Sequence, residues 1–133
     1  MARLTVHGIQ ALKGKRQLTQ VFTMKPEEAA AADAAGIDIV VTAGSTMPAI
    51  RLAAPGVFLV GVPSGLEFSD ESAIRSALGV MEQGADAIYS LTHSLARIAA
   101  MAEQKVPVIG HVGYVPYHAS WMGPPRAVGR TAV

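Results

Sequence analysis

His111 lies between Gly110 and Gly113 at the end of the apolar run Val106-Pro107-Val108-Ile109. An imidazole delivered to a tight turn in this way can exchange a proton, or give or take a hydrogen bond, near neutral pH. Ser45, in Gly44-Ser45-Thr46, brings a hydroxyl to the same kind of place after the run Ile37 to Thr42, and Tyr89 with Ser90 closes a third run. Whatever the chain binds, His111 is expected to meet it. Glu67 and His93, both in predicted loops, form a reserve acid and base. Each candidate has a plain structural alternative. His111 could be a core histidine bonded to backbone, Ser45 a helix cap, and Tyr89 core filler. Gly-Ser-Thr at a helix mouth could also cradle a phosphate. Arg126 and Arg130 could pair with a carboxylate ligand or belong to a surface loop.

The acidic residues are placed less favourably. Of the ten carboxylates, Glu27, Glu28, Asp33, Asp70, Glu71, Glu82 and Glu103 fall in predicted helices, while Asp38 and Asp86 begin strands. Ligands of parallel sheets gather at the carboxyl ends of strands, so Asp38 and Asp86 read as structural. Glu67 alone remains for that face. One loop carboxylate does not make a Mg²⁺ site, and no metal ligand is assigned.

Those candidates require elements that carry their tips to one side. Thr5 caps a short helix from Val6 to Leu12, which looks like a lid over one end of a core. Residues 17 to 23 form a first strand, and Thr23 and Pro26 open an alanine-rich helix that closes at Gly36. Ile37 to Thr42 is a second strand, a short helix covers Pro48 to Ala54, and Val57 to Val62 is a third strand. Ser69, Asp70 and Glu71 open a helix with Ile74, Ala77, Leu78 and Met81 at i, i+3, i+4 and i+7. Ala85 to Leu91 is a fourth strand, Leu95, Ile98, Ala99 and Ala102 mark another helix, and the run before His111 reads as a buried fifth strand. Residues 117 to 133 show no period and read as loop. Strands alternating with helices over short connections imply an α/β fold with a parallel sheet. Gly36-Ile37-Asp38 and Gly84-Ala85-Asp86 echo each other at two strand starts.

The totals agree with one domain over residues 1–133: half the residues are hydrophobic, and net charge is +1. Balanced charge leaves no footprint for nucleic acid or an anionic membrane. There is no cysteine, which excludes disulfides, thiolate metal sites and cysteine nucleophiles. The start lacks a signal-peptide core and no run approaches a membrane span, so the expected location is cytoplasmic.

Five stretches, in order, carry a family resemblance: Thr5 to Gly14 (TVHGIQALKG), Asp33 to Val41 (DAAGIDIVV) with Ser45, Gly84 to Ile88 (GADAI), Val106 to Pro116 (VPVIGHVGYVP) and Ala127 to Arg130 (AVGR). With them the chain resembles the 3-methyl-2-oxobutanoate (ketopantoate) hydroxymethyltransferase family over about the first half of such an enzyme. The resemblance implies a (β/α)8 TIM barrel, of which five βα units are present. It also implies hydroxymethyl transfer from 5,10-methylenetetrahydrofolate to a 2-oxo acid chelated to Mg²⁺, in pantothenate biosynthesis. His111 then matches the family's substrate-site histidine, and Ser45 its substrate-binding serine, beside Gly44 and Tyr89. The family's two metal-site aspartates fall on Gly44 and Gly61, and its fourth-strand lysine and glutamate fall on Tyr89 and Leu91. A catalytically silent binding or assembly module of the same fold, or a different small-acid reaction, is the alternative. Five strands cannot close on themselves, so the two raw edges call for more chain or for a homo-oligomer.

Overall fold

The computed structural model describes residues 3–63, 69–92 and 94–129; Glu67, His93 and Arg130 lie outside the described residues. Its centre is a five-stranded parallel sheet in sequential order: β1 (Gln20–Phe22), β2 (Ile39–Ala43), β3 (Phe58–Val62), β4 (Ala87–Tyr89) and β5 (Val108–Ile109). Every neighbouring pair is parallel, with Val21 beside Val40, Val40 beside Leu59, Gly61 beside Ile88 and Ile88 beside Val108. Sequential order is what the first five units of a (β/α)8 barrel require. Between strands run α2 (Pro26–Ala34), α3 (Met47–Ala53), α4 (Asp70–Glu82) and α5 (Leu95–Glu103), while α1 (Val6–Leu12) precedes the sheet. No helix among the described residues is long and apolar enough to cross a membrane.

Alternation along the strands divides the side chains between two cores. Val40, Leu59 and Ile88 point to the α2–α5 layer with Met47, Ile50 and Met101, all fully buried. Ile39, Val41, Phe58, Val60 and Ala87 point the other way, where Leu4, Ile9 and Leu18 partly cover them. Burying a Leu or Ile side chain is worth about 1.5–3 kcal/mol, so the outer layer dominates stability. By contrast, α1 contains no buried residue. Its flanks are tied down instead: Arg3 meets Asp86 at 3.4 Å and Arg16 meets Asp38.

The helix starts follow the local chemistry read from sequence. Thr5 Oγ1 accepts the Gly8 N–H at 3.1 Å, and Ser69 with Ser72 forms a reciprocal capping box on α4. Thr23 is not the cap of α2; its hydroxyl accepts the Lys25 N–H and donates to Glu28 at 2.5 Å, bracing the turn before Pro26.

Four expectations change, the fourth strand among them, since it spans Ala87–Tyr89 rather than Ala85 to Leu91. The first strand covers only Gln20–Phe22 of residues 17 to 23, all three exposed. The fifth strand is an edge rather than a buried strand: Val108 is half-buried and Ile109 is 36% exposed, because among the described residues nothing pairs with its far side. Residues 117 to 133 are not all loop either. A 3₁₀ turn at Pro116–His118 leads into the single turn α6 (Ala119–Met122), a piece too short to show any hydrophobic period.

Candidate functional site

Each parallel strand ends at the same edge of the sheet, and the inward-facing positions there are Ala43, Val62, Tyr89 and His111. The register sets this: Ala43 is beside Val62, and Tyr89 is beside Ile109, two residues before His111. Two apolar residues and two rings therefore line the mouth of the face that carries α1.

His111 and Tyr89 are brought together edge-on, ring centroids 6.0 Å apart and planes at 71°. His111 Nε2 lies 3.1 Å from the carbonyl oxygen of Tyr114. A carbonyl only accepts, so Nε2 carries the proton, and in the neutral ring Nδ1 is left as an acceptor. That Nδ1 is buried and has no hydrogen-bond partner among the described residues. A buried polar atom left unpaired costs about 1–3 kcal/mol, which makes this nitrogen the exception that demands a reason. The turn that holds the ring is fixed by Gly113, at φ +86°, and by Tyr114, whose hydroxyl donates to the Gly123 carbonyl at 2.8 Å.

Ser45 is exposed, in the 3₁₀ turn Gly44–Thr46 that joins β2 to α3. It does not join the pair just described, since β2 and β5 are three strand intervals apart, about 14 Å along a flat sheet. Gly44 is buried at the same turn, and the space beside it is taken. A Cβ there would lie 2.9 Å from Val80 Cγ2 and 3.2 Å from the Val62 carbonyl oxygen. Gly61 is tighter, for a Cβ would stand 2.7 Å from Met47 Cε and nearer still to Val80 Cγ1. Both glycines thus face the α3–α4 layer, where a carboxylate has no room.

Sequence reasoning passed over several hydroxyls. Thr46 Oγ1 donates to the Ala43 carbonyl at 2.9 Å, so the 2.7 Å contact with Thr42 has Thr42 as donor. After β4, the Ser94 N–H donates to Thr92 Oγ1 and the Arg97 N–H to Ser94 Oγ, carrying a chain of hydroxyls into α5. Thr42 and Thr92 are buried, as is Ser90, which the sequence had already singled out beside Tyr89. The signal was available, since each ends or follows an apolar run, but a hydroxyl in sequence does not reveal that it braces the rim.

The carboxylates set aside as helical deserve relocation for a simple reason: a helix begins where its strand ends, so Glu28 and Asp70 sit at this same end. Both are engaged, Glu28 with Thr23 and with Lys25 Nζ at 3.1 Å, Asp70 with Arg97 Nε at 3.2 Å. These contacts hold the Glu28 carboxyl below its ordinary range, the Thr23 hydroxyl contributing most. Asp38 and Asp86 occupy the opposite end as expected. Asp38 accepts the Thr19 N–H at 2.9 Å, which with Arg16 keeps its carboxyl low. Asp86 accepts from Arg51 at 2.5 Å and from the Leu59 N–H at 2.8 Å.

This donor set does not fit Mg²⁺ held as the resemblance implies. The ion takes oxygen ligands in near-octahedral order, normally including one or two carboxylates. Among the described residues no three His, Asp or Glu side chains converge, and the two glycine positions have no space for acids.

A family model described as Ketopantoate hydroxymethyltransferase matches residues 45–133, a span that holds both Ser45 and His111. The 3-methyl-2-oxobutanoate hydroxymethyltransferase of Kosmotoga olearia is 30% identical over 155 positions, covering 96% of this chain and 57% of that protein. The protein of the same name from Staphylothermus marinus is 29% identical, covering 97% and 57%. One from Alkaliphilus metalliredigens is 32% identical over 93 residues, covering 62% and 31%. The chain spans about half the length of these relatives. The 155 aligned positions exceed its 133 residues, so the relatives also carry segments with no counterpart here. Sequential parallel strands, a family model over residues 45–133 and relatives matched over most of this chain converge on one conclusion: the chain belongs to the ketopantoate hydroxymethyltransferase family.

Proposed function

We propose that this chain supplies one side of a hydroxymethyltransferase pocket, with 3-methyl-2-oxobutanoate and its hydroxymethylated product as ligands. The family reaction joins a hydroxymethyl group from 5,10-methylenetetrahydrofolate to that acid. The observation that carries the reading is the buried Nδ1 of His111 on the inner face beside Tyr89, which has no hydrogen-bond partner among the described residues. With Nε2 committed to the Tyr114 carbonyl, Nδ1 takes a donor, and the hydroxyl borne by the transferred carbon is one. Ala43 and Val62 give the ligand's branched alkyl end an apolar wall. Ser45, farther along the rim, meets a ligand or cosubstrate that reaches across the mouth.

Titration calorimetry with 3-methyl-2-oxobutanoate and with its hydroxymethylated product tests this. His111→Ala lowers affinity for the product by about tenfold or more, the worth of one buried hydrogen bond. Equal affinity in parent and variant refutes the site.

A second reading, binding without turnover, is favoured by the packing around Gly44 and Gly61, where the resemblance places the metal-site aspartates and a side chain has no room. Formation of product from 5,10-methylenetetrahydrofolate, measured with and without Mg²⁺, separates the two. Turnover supports the transferase, and affinity without turnover supports the silent binder.

A further inference from the structure

Taking the pocket proposed above as the starting point, we infer that His111 gains a proton when it meets the 2-oxo acid substrate and stays neutral when it meets the hydroxymethylated product, so that rising pH weakens the substrate alone. The ring's hydrogen bonding fixes the choice. Nε2 donates to the Tyr114 carbonyl oxygen at 3.1 Å, and Nδ1 is buried with no hydrogen-bond partner among the described residues. Moving the single proton of the neutral ring to Nδ1 would set a bare Nε2 lone pair against a carbonyl oxygen, acceptor against acceptor. The turn does not swing away to relieve that contact, because the Tyr114 hydroxyl is tied to the Gly123 carbonyl at 2.8 Å. Nδ1 therefore becomes a donor only by taking a second proton.

The two ligands ask for different partners. The substrate, 3-methyl-2-oxobutanoate, presents a carboxylate and a keto oxygen, and both only accept. Its product adds a hydroxyl, which donates. A neutral His111 satisfies that hydroxyl with no proton from solvent, whereas the substrate's oxygens are met only by the imidazolium, which a nearby carboxylate also favours.

The positive charge has no other source at this part of the rim. The resemblance places an ion's two aspartates at Gly44 and Gly61, where a Cβ alone would lie 2.9 Å from Val80 Cγ2 and 2.7 Å from Met47 Cε. The inner strand-end neighbours Ala43, Val62 and Tyr89 bring no cation. Charged or titratable groups on the elements packed against the ring are Tyr89 on β4, Tyr114 on the turn, His118 in the 3₁₀ turn, and Arg97 on α5, which is bound to Asp70 of α4 at 3.2 Å. Among the described residues the ring's own contacts are the Tyr89 edge and the Tyr114 carbonyl.

Calorimetry of the 133-residue chain in buffers of different ionisation heat counts the protons. Above the range in which histidine rings ordinarily titrate, from about pH 8 upward, substrate binding takes up about one proton and its affinity falls about tenfold per pH unit. Product binding takes up none, and its affinity stays level within about twofold over the same range. His111→Gln, whose amide donates or accepts without titrating, abolishes the proton uptake and the slope. Substrate binding without proton uptake, a slope shared by both ligands, or a slope that survives in His111→Gln overturns the inference while leaving the pocket in place, since the loss of product affinity in His111→Ala reports on the pocket separately. Equal affinity of parent and His111→Ala for both ligands overturns the two together.

Discussion

Gly61→Ala is the substitution whose cost follows most directly from the geometry. The added Cβ would stand 2.7 Å from Met47 Cε and nearer still to Val80 Cγ1, against ordinary carbon contacts of about 3.5–4.0 Å. Met47 can bend away through its flexible thioether, but Val80 is β-branched on a helix and holds one rotamer, so α4 itself must yield. Overpacking of this kind costs about 1–3 kcal/mol, or roughly 4–12 °C in Tm for a chain of this length. Urea unfolding followed by circular dichroism measures it. The decisive arm is Val80→Ala: alone it costs about 1.5–2.5 kcal/mol for lost burial, but combined with Gly61→Ala it removes the clash. The double variant is then more stable than the sum of the singles predicts by at least about 1 kcal/mol. A single variant within 0.5 kcal/mol of the parent, or strict additivity in the pair, refutes the account of why this position holds no acid. Gly61→Asp follows the same logic and lowers stability further without creating a metal site, since its carboxylate enters an apolar layer.

Three further outcomes follow. Asp86→Ala strips partners from Arg51 and from the Leu59 N–H and lowers stability by about 3 kcal/mol in the same urea assay, the range for breaking a mostly buried charge pair. For Asp38 the carboxyl is held below its ordinary 3.8, chiefly by the Thr19 N–H. Its stabilisation is therefore full above that value and lost as pH falls through the depressed one, so the gap between parent and Asp38→Ala stays level near neutrality and closes in acid. Tyr114→Phe loses the hydroxyl bond to the Gly123 carbonyl and costs about 0.5–1.5 kcal/mol; because that bond fixes the turn carrying His111, product affinity falls with it in calorimetry.

What the sequence determined by itself is local or periodic. Caps at Thr5 and Ser69, the glycine stops at Gly36 and Gly84, and the apolar runs that became five parallel strands depend on neighbours within a turn or two, so they are legible in one dimension. The placing of Asp38 and Asp86 at strand starts was legible too, because strand direction alone puts them away from the rim. Family membership rested on five short stretches, above all Thr5 to Gly14 and Val106 to Pro116, and comparison upheld it. Only the tertiary structure decided the rest. Which face each strand-end residue looks toward depends on register, and register put Gly61 against Val80 while it set Tyr89 beside His111. The return of Glu28 and Asp70 to the functional end depends on where helices begin relative to strands, and the exposure of β5 depends on what lies beyond it. The register and the exposure of β5 are set by contacts between residues far apart in the chain, which no local pattern of residue types encodes, whereas the place of Glu28 and Asp70 follows from strand-to-helix order.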